Sequence, residues 1–300
     1  MNKLIEAAEN GNSEAQYKLG EIYDLGETVE RNLPLAIEWY IKSADQGNAD
    51  AQYRLGLCYL LEESVEYSGD EGLSWCIKAA ENGNAEAQNW LGTYYANIIG
   101  EEQDFAESAK WYRKAAEQGC PESQSELGNA YYSGNGVEQS YSEAVKWLKM
   151  SAAQGDADGA LCLGHCYAEG DGVEQNYHEA VKWFMMSAEK GDQIAQLRMA
   201  ECYSKGNGIE KNDADAAKWY LKSAEQGNAK AQFHLGGIYS TGTGVEESIQ
   251  IAYGWLLLAK AGGIDEVSGL VKLIEKESLT LAEQKAGRAW ARNWTAKHSE

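Results

Sequence analysis

The 300-residue sequence contains little proline, phenylalanine and histidine, with two, three and four residues respectively, and it is short of basic side chains. Its 26 lysines and arginines face 47 aspartates and glutamates, which gives a formal net charge of −21 at pH 7. Non-specific binding to nucleic acid or to an anionic membrane would bring like charges together. We therefore expect neither, and a protein partner with a basic surface is the better electrostatic match.

Long apolar segments are also missing. The sequence has no run of about 20 apolar residues, the length that a membrane-spanning helix needs. Its first ten residues, MNKLIEAAEN, lack the apolar stretch of a secretion signal. Without such a signal, the six cysteines are expected to be reduced rather than paired. These absences predict a cytoplasmic protein.

Catalytic and metal-binding motifs are absent as well. The sequence contains no EF-hand spacing, no HExxH or CxxC, no P-loop and no G-x-S-x-G. We therefore predict that the protein is not an enzyme and that it holds neither a metal nor a cofactor.

What the sequence does contain is an internal repeat of 36 residues. Tryptophan recurs seven times at this spacing without an insertion, and one series of glycines keeps the same step. The tryptophan series is Trp39, Trp75, Trp111, Trp147, Trp183, Trp219 and Trp255, and the glycine series runs from Gly11 to Gly263. A fixed period of this length is typical of solenoid proteins.

Each repeat is predicted to form two helices. In the first repeat, small and large apolar residues follow one helical stripe from Ala15 to Tyr23 and another from Ala36 to Ala44. Residues favoured at the N-terminal cap of a helix precede most of these segments. They are Asn12, Asn48, Asn84, Asp156, Asp192 and Asn228 before the first helices, and Asn32, Ser68, Asp104, Ser140, Asn176, Asn212 and Ser248 before the second. The Gly11 series fits the left-handed position after a helix end.

A second series of small residues falls inside the first helix of each repeat. It consists of Gly20, Gly56, Gly92, Gly128, Gly164, Ala200 and Gly236. Glycine within a helix costs about 1 kcal/mol relative to alanine. Its recurrence therefore predicts that the two helices of a pair approach each other closely at this position.

The repeats predict an all-α solenoid. A single helix pair cannot bury its own apolar face, so neighbouring pairs must stack, which creates a concave and a convex surface. We place seven repeats in residues 12–263, a capping helix in residues 1–11 and further capping helices in residues 264–300. Trp290 and Trp294, four residues apart on the final helix, are expected to cover the last repeat.

The run ALCLGHCYAEGDGVEQNYHEAVKWFMMSAEKG and its equivalents through residues 12–263 resemble the Sel1-like repeat family, a relative of tetratricopeptide repeats. The shared signature is Leu-Gly, two residues and Tyr, then Gly-x-Gly-Val, then Ala-x-x-Trp before an alanine-containing helix that ends in Gly. The resemblance implies a right-handed α/α superhelical solenoid that acts as an adaptor or scaffold in protein complexes.

Two other activities are associated with members of this family. Some secreted members carry disulfides between cysteines about eight residues apart and are associated with penicillin binding, but the present sequence lacks that spacing. A β-lactam-binding or hydrolysing enzyme is therefore the weakest of the three alternatives. Other members, often acidic, act as immunity proteins that neutralise bacterial toxins, and the charge of this chain agrees with that role.

Candidate binding residues are those that vary between repeats on the solvent side of the first helices, which line the concave face in repeats of this kind. One variable series is Lys18, Arg54, Trp90, Glu126, Cys162, Arg198 and His234, and a second is Glu21, Leu57, Thr93, Asn129, His165, Glu201 and Gly237. From them we select Trp90, Arg54, Arg198, His165 and His234 as partner-binding residues. The alternatives are packing of Trp90 on Tyr94 and solvated or internally paired arginines.

The loops of repeats two and three replace glycine by acidic residues, which include Glu62, Glu63, Glu66, Glu101 and Glu102. Residues 1–150 hold 11 basic and 26 acidic side chains, against 15 and 21 in residues 151–300. The N-terminal half is therefore the expected docking surface for a basic partner, unless it is only a solvated acidic edge. The leading interpretation is an adaptor or scaffold, and the alternative is a cytoplasmic immunity protein.

Overall fold

A computed structural model of the chain describes residues 1–61, 69–97 and 104–297. The described residues divide into two compact units, Met1–Ser140 and Tyr141–Glu300, of which the last three residues are not described. The regular secondary structure of the described residues is entirely α-helical. The prediction of an all-α protein is confirmed.

The first unit contains eight helices among its described residues. They are α1 (Asn2–Glu9), α2 (Ser13–Leu25), α3 (Leu33–Ala44), α4 (Ala49–Leu61), α5 (Gly69–Glu81), α6 (Ala85–Asn97), α7 (Phe105–Glu117) and α8 (Pro121–Ser133). Helix α2 packs against α3, α4 against α5 and α6 against α7, and each pair packs against the first helix of the next. Helix α1 packs against α2.

The described part of the second unit contains nine helices. They are α9 (Tyr141–Ala153), α10 (Ala157–Glu169), α11 (Tyr177–Glu189), α12 (Gln193–Lys205), α13 (Asp213–Glu225), α14 (Ala229–Thr241), α15 (Ile249–Ala261), α16 (Val267–Glu277) and α17 (Leu281–Lys297). The pairs are α10 with α11, α12 with α13 and α14 with α15, and both α16 and α17 pack on α15.

Helix ends lie where the capping residues predict them. The side chain of Asn12 accepts a hydrogen bond from the amide of Ala15 at 2.8 Å, and Asp192 does the same for Ala195 at 2.6 Å. The Gly11 series has φ between +86° and +100° at all eight positions. These left-handed residues allow the chain to leave one repeat and enter the next without strain.

The predicted close approach is confirmed in five helix pairs, those of Gly20, Gly56, Gly92, Gly164 and Gly236. A Cβ atom on Gly56 of α4 would lie 2.9 Å from the carbonyl oxygen of Gly72 on α5 and 2.6 Å from the sulfur of Cys76. A Cβ atom on Gly92 of α6 would meet the ring of Tyr112 on α7 at 2.5 Å. Neither helix pair has room for even a methyl group at this position, so the glycine is required by packing.

A series of buried glutamines joins six of the seven repeats to the preceding helix, and repeat five has Ala160 at this position. Gln88 donates from Nε2 to the carbonyl oxygen of Ala80 at 2.9 Å and accepts from Nε2 of Gln118 at 2.8 Å. Gln16, Gln52, Gln124, Gln196 and Gln232 also donate to the carbonyl eight residues earlier. The series fixes the stacking of successive repeats by buried, satisfied polar groups.

The final helix supports the last helix pair through aromatic contacts. Trp290 and Trp294 of α17 both meet Trp255 of α15 edge to face, with ring centroids 5.2 Å and 5.6 Å apart.

Among the residues that the structure describes, none of the helices has both the length and the apolar character needed to span a bilayer.

Candidate interaction surface

We use the name first-helix face for the two variable series that begin at Lys18 and Glu21. Because members of the two series are three residues apart, they lie side by side on one face of each first helix. The four helices α2, α4, α6 and α8 carry them in the first unit, and α10, α12 and α14 carry them in the second. The fully buried leucines, such as Leu55 and Leu91, and the packing glycines Gly56 and Gly92 are not members of these two series.

In the first unit, Arg54 of α4 is paired with α2. Its guanidinium lies 3.9 Å from a carboxylate oxygen of Glu21, which also accepts a hydrogen bond from the Tyr17 hydroxyl at 2.7 Å. Burial, followed by the Glu21 carboxylate, raises the pKa of Tyr17 above its ordinary value. The Arg54 side chain is still 39% exposed, so a partner carboxylate can reach it.

Trp90 of α6 is half-buried and stacks on Tyr94, with ring centroids 5.3 Å apart and an interplanar angle of 17°. It also packs against the core cluster that contains Leu91 and Trp111. Packing on Tyr94 therefore occurs, while part of the indole remains accessible. An aromatic ring fixed in this way loses little conformational entropy when a partner covers it.

In the second unit, the structure brings three of the selected residues together. Arg198 and Glu201 on α12 form an ion pair at 2.9 Å. His165 on α10 interacts electrostatically with both of them, and His234 on α14 interacts with Glu201. The four side chains thus connect three consecutive first helices.

Both histidines are held in the neutral form. The pKa of His165 is lowered to about 4, chiefly by burial and secondly by the positive charge of Arg198, while the Glu201 carboxylate opposes the shift. The His165 ring also packs edge to face on Phe184 at 5.2 Å. Burial likewise lowers the pKa of His234, whose ring stacks on Tyr220 at 4.7 Å. At neutral pH these rings offer aromatic surface and hydrogen bonding without charge.

The depressed pKa of His165 predicts that acid destabilises the fold. His165 binds a proton near pH 6.5 in the unfolded chain and only near pH 4 in the folded chain. Its contribution to the free energy of unfolding is therefore fully present above pH 6.5 and is lost as the pH falls through this window. Since the ring is partly exposed, we expect His165 to account for at most about 2 kcal/mol at pH 5.

Urea unfolding at pH 7 and pH 5 measures this loss. His165→Asn, which places the residue of the equivalent Asn129 at this position, should reduce the difference between the two pH values. His178→Asn is the control because His178 is exposed on α11. An equal pH dependence in the wild type and His165→Asn would contradict the assignment.

The acidic loop residues Glu62, Glu63, Glu66, Glu101 and Glu102 lie outside the described residues. Their contribution to a docking surface stays a prediction.

The described residues contain no group of three or more His, Cys, Asp or Glu side chains arranged to hold a metal ion. None of the six cysteines, all of which are within the described part of the chain, forms a disulfide.

Internal pairing of the two arginines, one of the alternatives that the sequence offered, is confirmed, although the sequence analysis did not name the acidic partners. Glu201 lies three residues after Arg198 on the same helix, a spacing that favours an ion pair. Glu21 reaches Arg54 from the preceding repeat, 33 residues earlier. Both glutamates belong to the second variable series. That side chains of the second series contact those of the first series becomes clear only when neighbouring first helices are placed side by side.

The Sel1 repeat family model matches the chain seven times. The matches cover residues 13–48, 49–84, 85–120, 121–156, 158–192, 193–228 and 229–264. The search of curated proteins gave no match.

Solved structures with the same fold include c5321, described as a protective antigen present in uropathogenic Escherichia coli strains and displaying an SLR fold. It matches with a TM-score of 0.83 and 32% identity over 99% of this chain. The chain spans only 63% of the length of that protein. A Sel1 repeat protein from Oxalobacter formigenes matches with a TM-score of 0.71 and 32% identity, over 91% of this chain and 79% of its own.

Immunity protein Pa5087 from Pseudomonas aeruginosa also matches, with 18% identity and a TM-score of 0.39 over 87% of this chain and 86% of its own. A likeness this low does not support a shared function. The seven family matches, in contrast, account for every helix pair described above. The chain is an all-α solenoid and belongs to the Sel1 repeat family.

Proposed function

We propose that this chain is a cytoplasmic interaction module that binds a partner protein through its first-helix face. Sel1 repeat proteins generally mediate protein–protein interaction. The observation that carries the proposal is the contrast between two kinds of position on the same helices. The packing position of the Gly20 series keeps glycine or alanine at every period, whereas the first-helix face changes from charged to aromatic to small.

The half-buried arginines Arg54 and Arg198 and the half-buried Trp90 fit such a role. Arginine and tryptophan are enriched among the residues that dominate protein interfaces, because they combine large contact area with directional polar groups. Arg54 keeps 39% of its side chain exposed although it is paired with Glu21. The net charge of −21 further favours a partner with a basic surface.

Affinity purification with the full chain as bait tests the proposal. We expect that Trp90→Lys combined with Arg54→Glu lowers recovery of the bound partner at least tenfold, because the change removes an aromatic contact and reverses a charge. Lysine is tolerated at the Trp90 position because the first repeat has Lys18 there. Circular dichroism should show unchanged helicity.

Glu38→Ala is the matched control, since Glu38 is exposed on the second helix α3 rather than on the first-helix face. The proposal is wrong if the double variant and the control recover the partner equally.

A second candidate function is that of an immunity protein. The strongly acidic N-terminal half favours this role, because a toxin with a basic surface would be attracted to it. If the recovered partner is a toxin whose activity the chain inhibits, the immunity role is established. A partner from an endogenous complex would instead identify a scaffold.

A further inference from the structure

Two adjacent glycines on α14 differ in what surrounds them. A Cβ atom on Gly236 would lie 2.5 Å from Cδ2 of Leu256, so this glycine is required by packing. At Gly237, nothing lies within 4 Å of the corresponding position apart from the chain neighbours and the backbone of the helix itself. Glycine weakens a helix relative to alanine, and at Gly237 no close approach compensates for that loss.

The missing side chain at Gly237 leaves a notch in the first-helix face. The cavity here has a volume of about 330 Å³ and is lined by Phe233, His234, Gly237, Ile238, Thr241 and Thr243. At the equivalent position the second repeat has Leu57 and the third has Thr93, and a side chain of either size would occupy part of this space.

The lining of the notch is uncharged and partly aromatic. The rings of Phe233 and His234 are 5.7 Å apart with an interplanar angle of 52°, and stacking on Tyr220 holds the imidazole in place. The hydroxyl of Thr241 donates to the carbonyl oxygen of Gly237 at 3.1 Å and lies 2.7 Å from that of Thr243. The two threonine hydroxyls of the notch are thus hydrogen-bonded within it.

We propose that the notch at Gly237 receives an aromatic side chain of the partner protein. The proposal rests on the proposed function of the first-helix face and specifies the chemistry that this part of the face recognises. A charged side chain would lose its hydration in the notch without meeting an opposite charge among the lining residues. An aromatic ring, by contrast, can pack edge to face or offset against Phe233 and His234.

The probe for this proposal is p-cresol, which reproduces the side chain of tyrosine. Titration into the isotope-labelled full chain, followed by NMR, should shift the backbone amides of His234, Gly237 and Ile238 in a saturable manner. 4-Methylcyclohexanol, which has a similar shape but no aromatic ring, should bind at least fivefold more weakly. The absence of saturable shifts, or equal binding of the two probes, would overturn the proposal.

Gly237→Leu should abolish p-cresol binding and lower recovery of the partner at least tenfold, because leucine fills the notch. The substitution is compatible with folding because Leu57 occupies the equivalent position. Gly269→Leu on α16 is the matched control, since Gly269 is also an exposed helical glycine with nothing within 4 Å of its Cβ position.

The outcomes separate the notch from the wider proposed function. If p-cresol binds and Gly237→Leu leaves partner recovery unchanged, the partner does not use the notch and the proposal is wrong. The effect of the Trp90 and Arg54 substitutions on recovery is measured independently of either probe. Failure at the notch therefore leaves the proposed function intact, whereas failure of those substitutions contradicts the proposed function itself.

Discussion

Gly56→Ala should destabilise the chain by about 2 to 3 kcal/mol, although alanine is the better helix former. The added methyl group would lie 2.9 Å from the Gly72 carbonyl oxygen and 3.0 Å from the Cys76 amide nitrogen. Backbone atoms cannot move aside as the end of a side chain can, so α4 and α5 must separate and lose packing along their length. Urea unfolding followed by far-ultraviolet circular dichroism measures the loss.

The control is the same substitution at Gly237, where a Cβ atom has free space. Gly237→Ala should stabilise the chain by about 0.5 to 1 kcal/mol, since it improves helix propensity without a clash. Opposite signs for the two substitutions would show that packing, rather than propensity, determines the role of Gly56. An unchanged unfolding midpoint for Gly56→Ala would contradict the close approach.

Gln88→Ala should cost about 2 kcal/mol. The substitution removes the hydrogen bonds to the Ala80 carbonyl and from the Gln118 amide, and it leaves a small cavity at a residue that is 4% exposed. Urea unfolding again provides the measurement.

Repeat five supplies the control for this prediction. There the glutamine is replaced by Ala160, and the position equivalent to Gln118 is Lys190. The Lys190 ammonium turns toward Gly155 and lies 3.3 Å from the position that a Cβ atom would take there. The double variant Gln88→Ala with Gln118→Lys should therefore lose less free energy of unfolding than the sum of the losses measured for the two single variants. Strict additivity of the two changes would show that the residues are not coupled.

Much of the fold could be predicted from the sequence because the same helix ends and the same packing contacts recur every 36 residues. Caps such as Asn12 and left-handed glycines such as Gly11 depend on the local backbone only, and the structure has them where the sequence places them. Repetition also identifies Gly56 as a packing residue. The family resemblance is confirmed by the seven matches of the family model.

The candidate surface was less predictable because it depends on contacts between repeats. The pairing of Arg54 with Glu21 joins residues 33 positions apart, and the environment of His165 is made by Arg198 and Glu201 on the next first helix. The buried glutamines recur at the same period as the tryptophans, but their role is visible only when their carbonyl acceptors are known. A residue that recurs with the repeat period has the same structural role in each repeat, but the period does not identify the atoms that it contacts.

The buried glutamines also bear on how proteins of this kind change in length. Each donates to the helix immediately before it, as Gln88 does to Ala80, so repeats that carry the glutamine make the same hydrogen bond to the helix before them, and repeat five, which has Ala160, does not. Insertion or deletion of a whole 36-residue segment between two repeats that carry the glutamine would therefore preserve this hydrogen bond at the new junction. The longer c5321, of which this chain spans 63%, is the kind of relative that such unit-wise growth would produce.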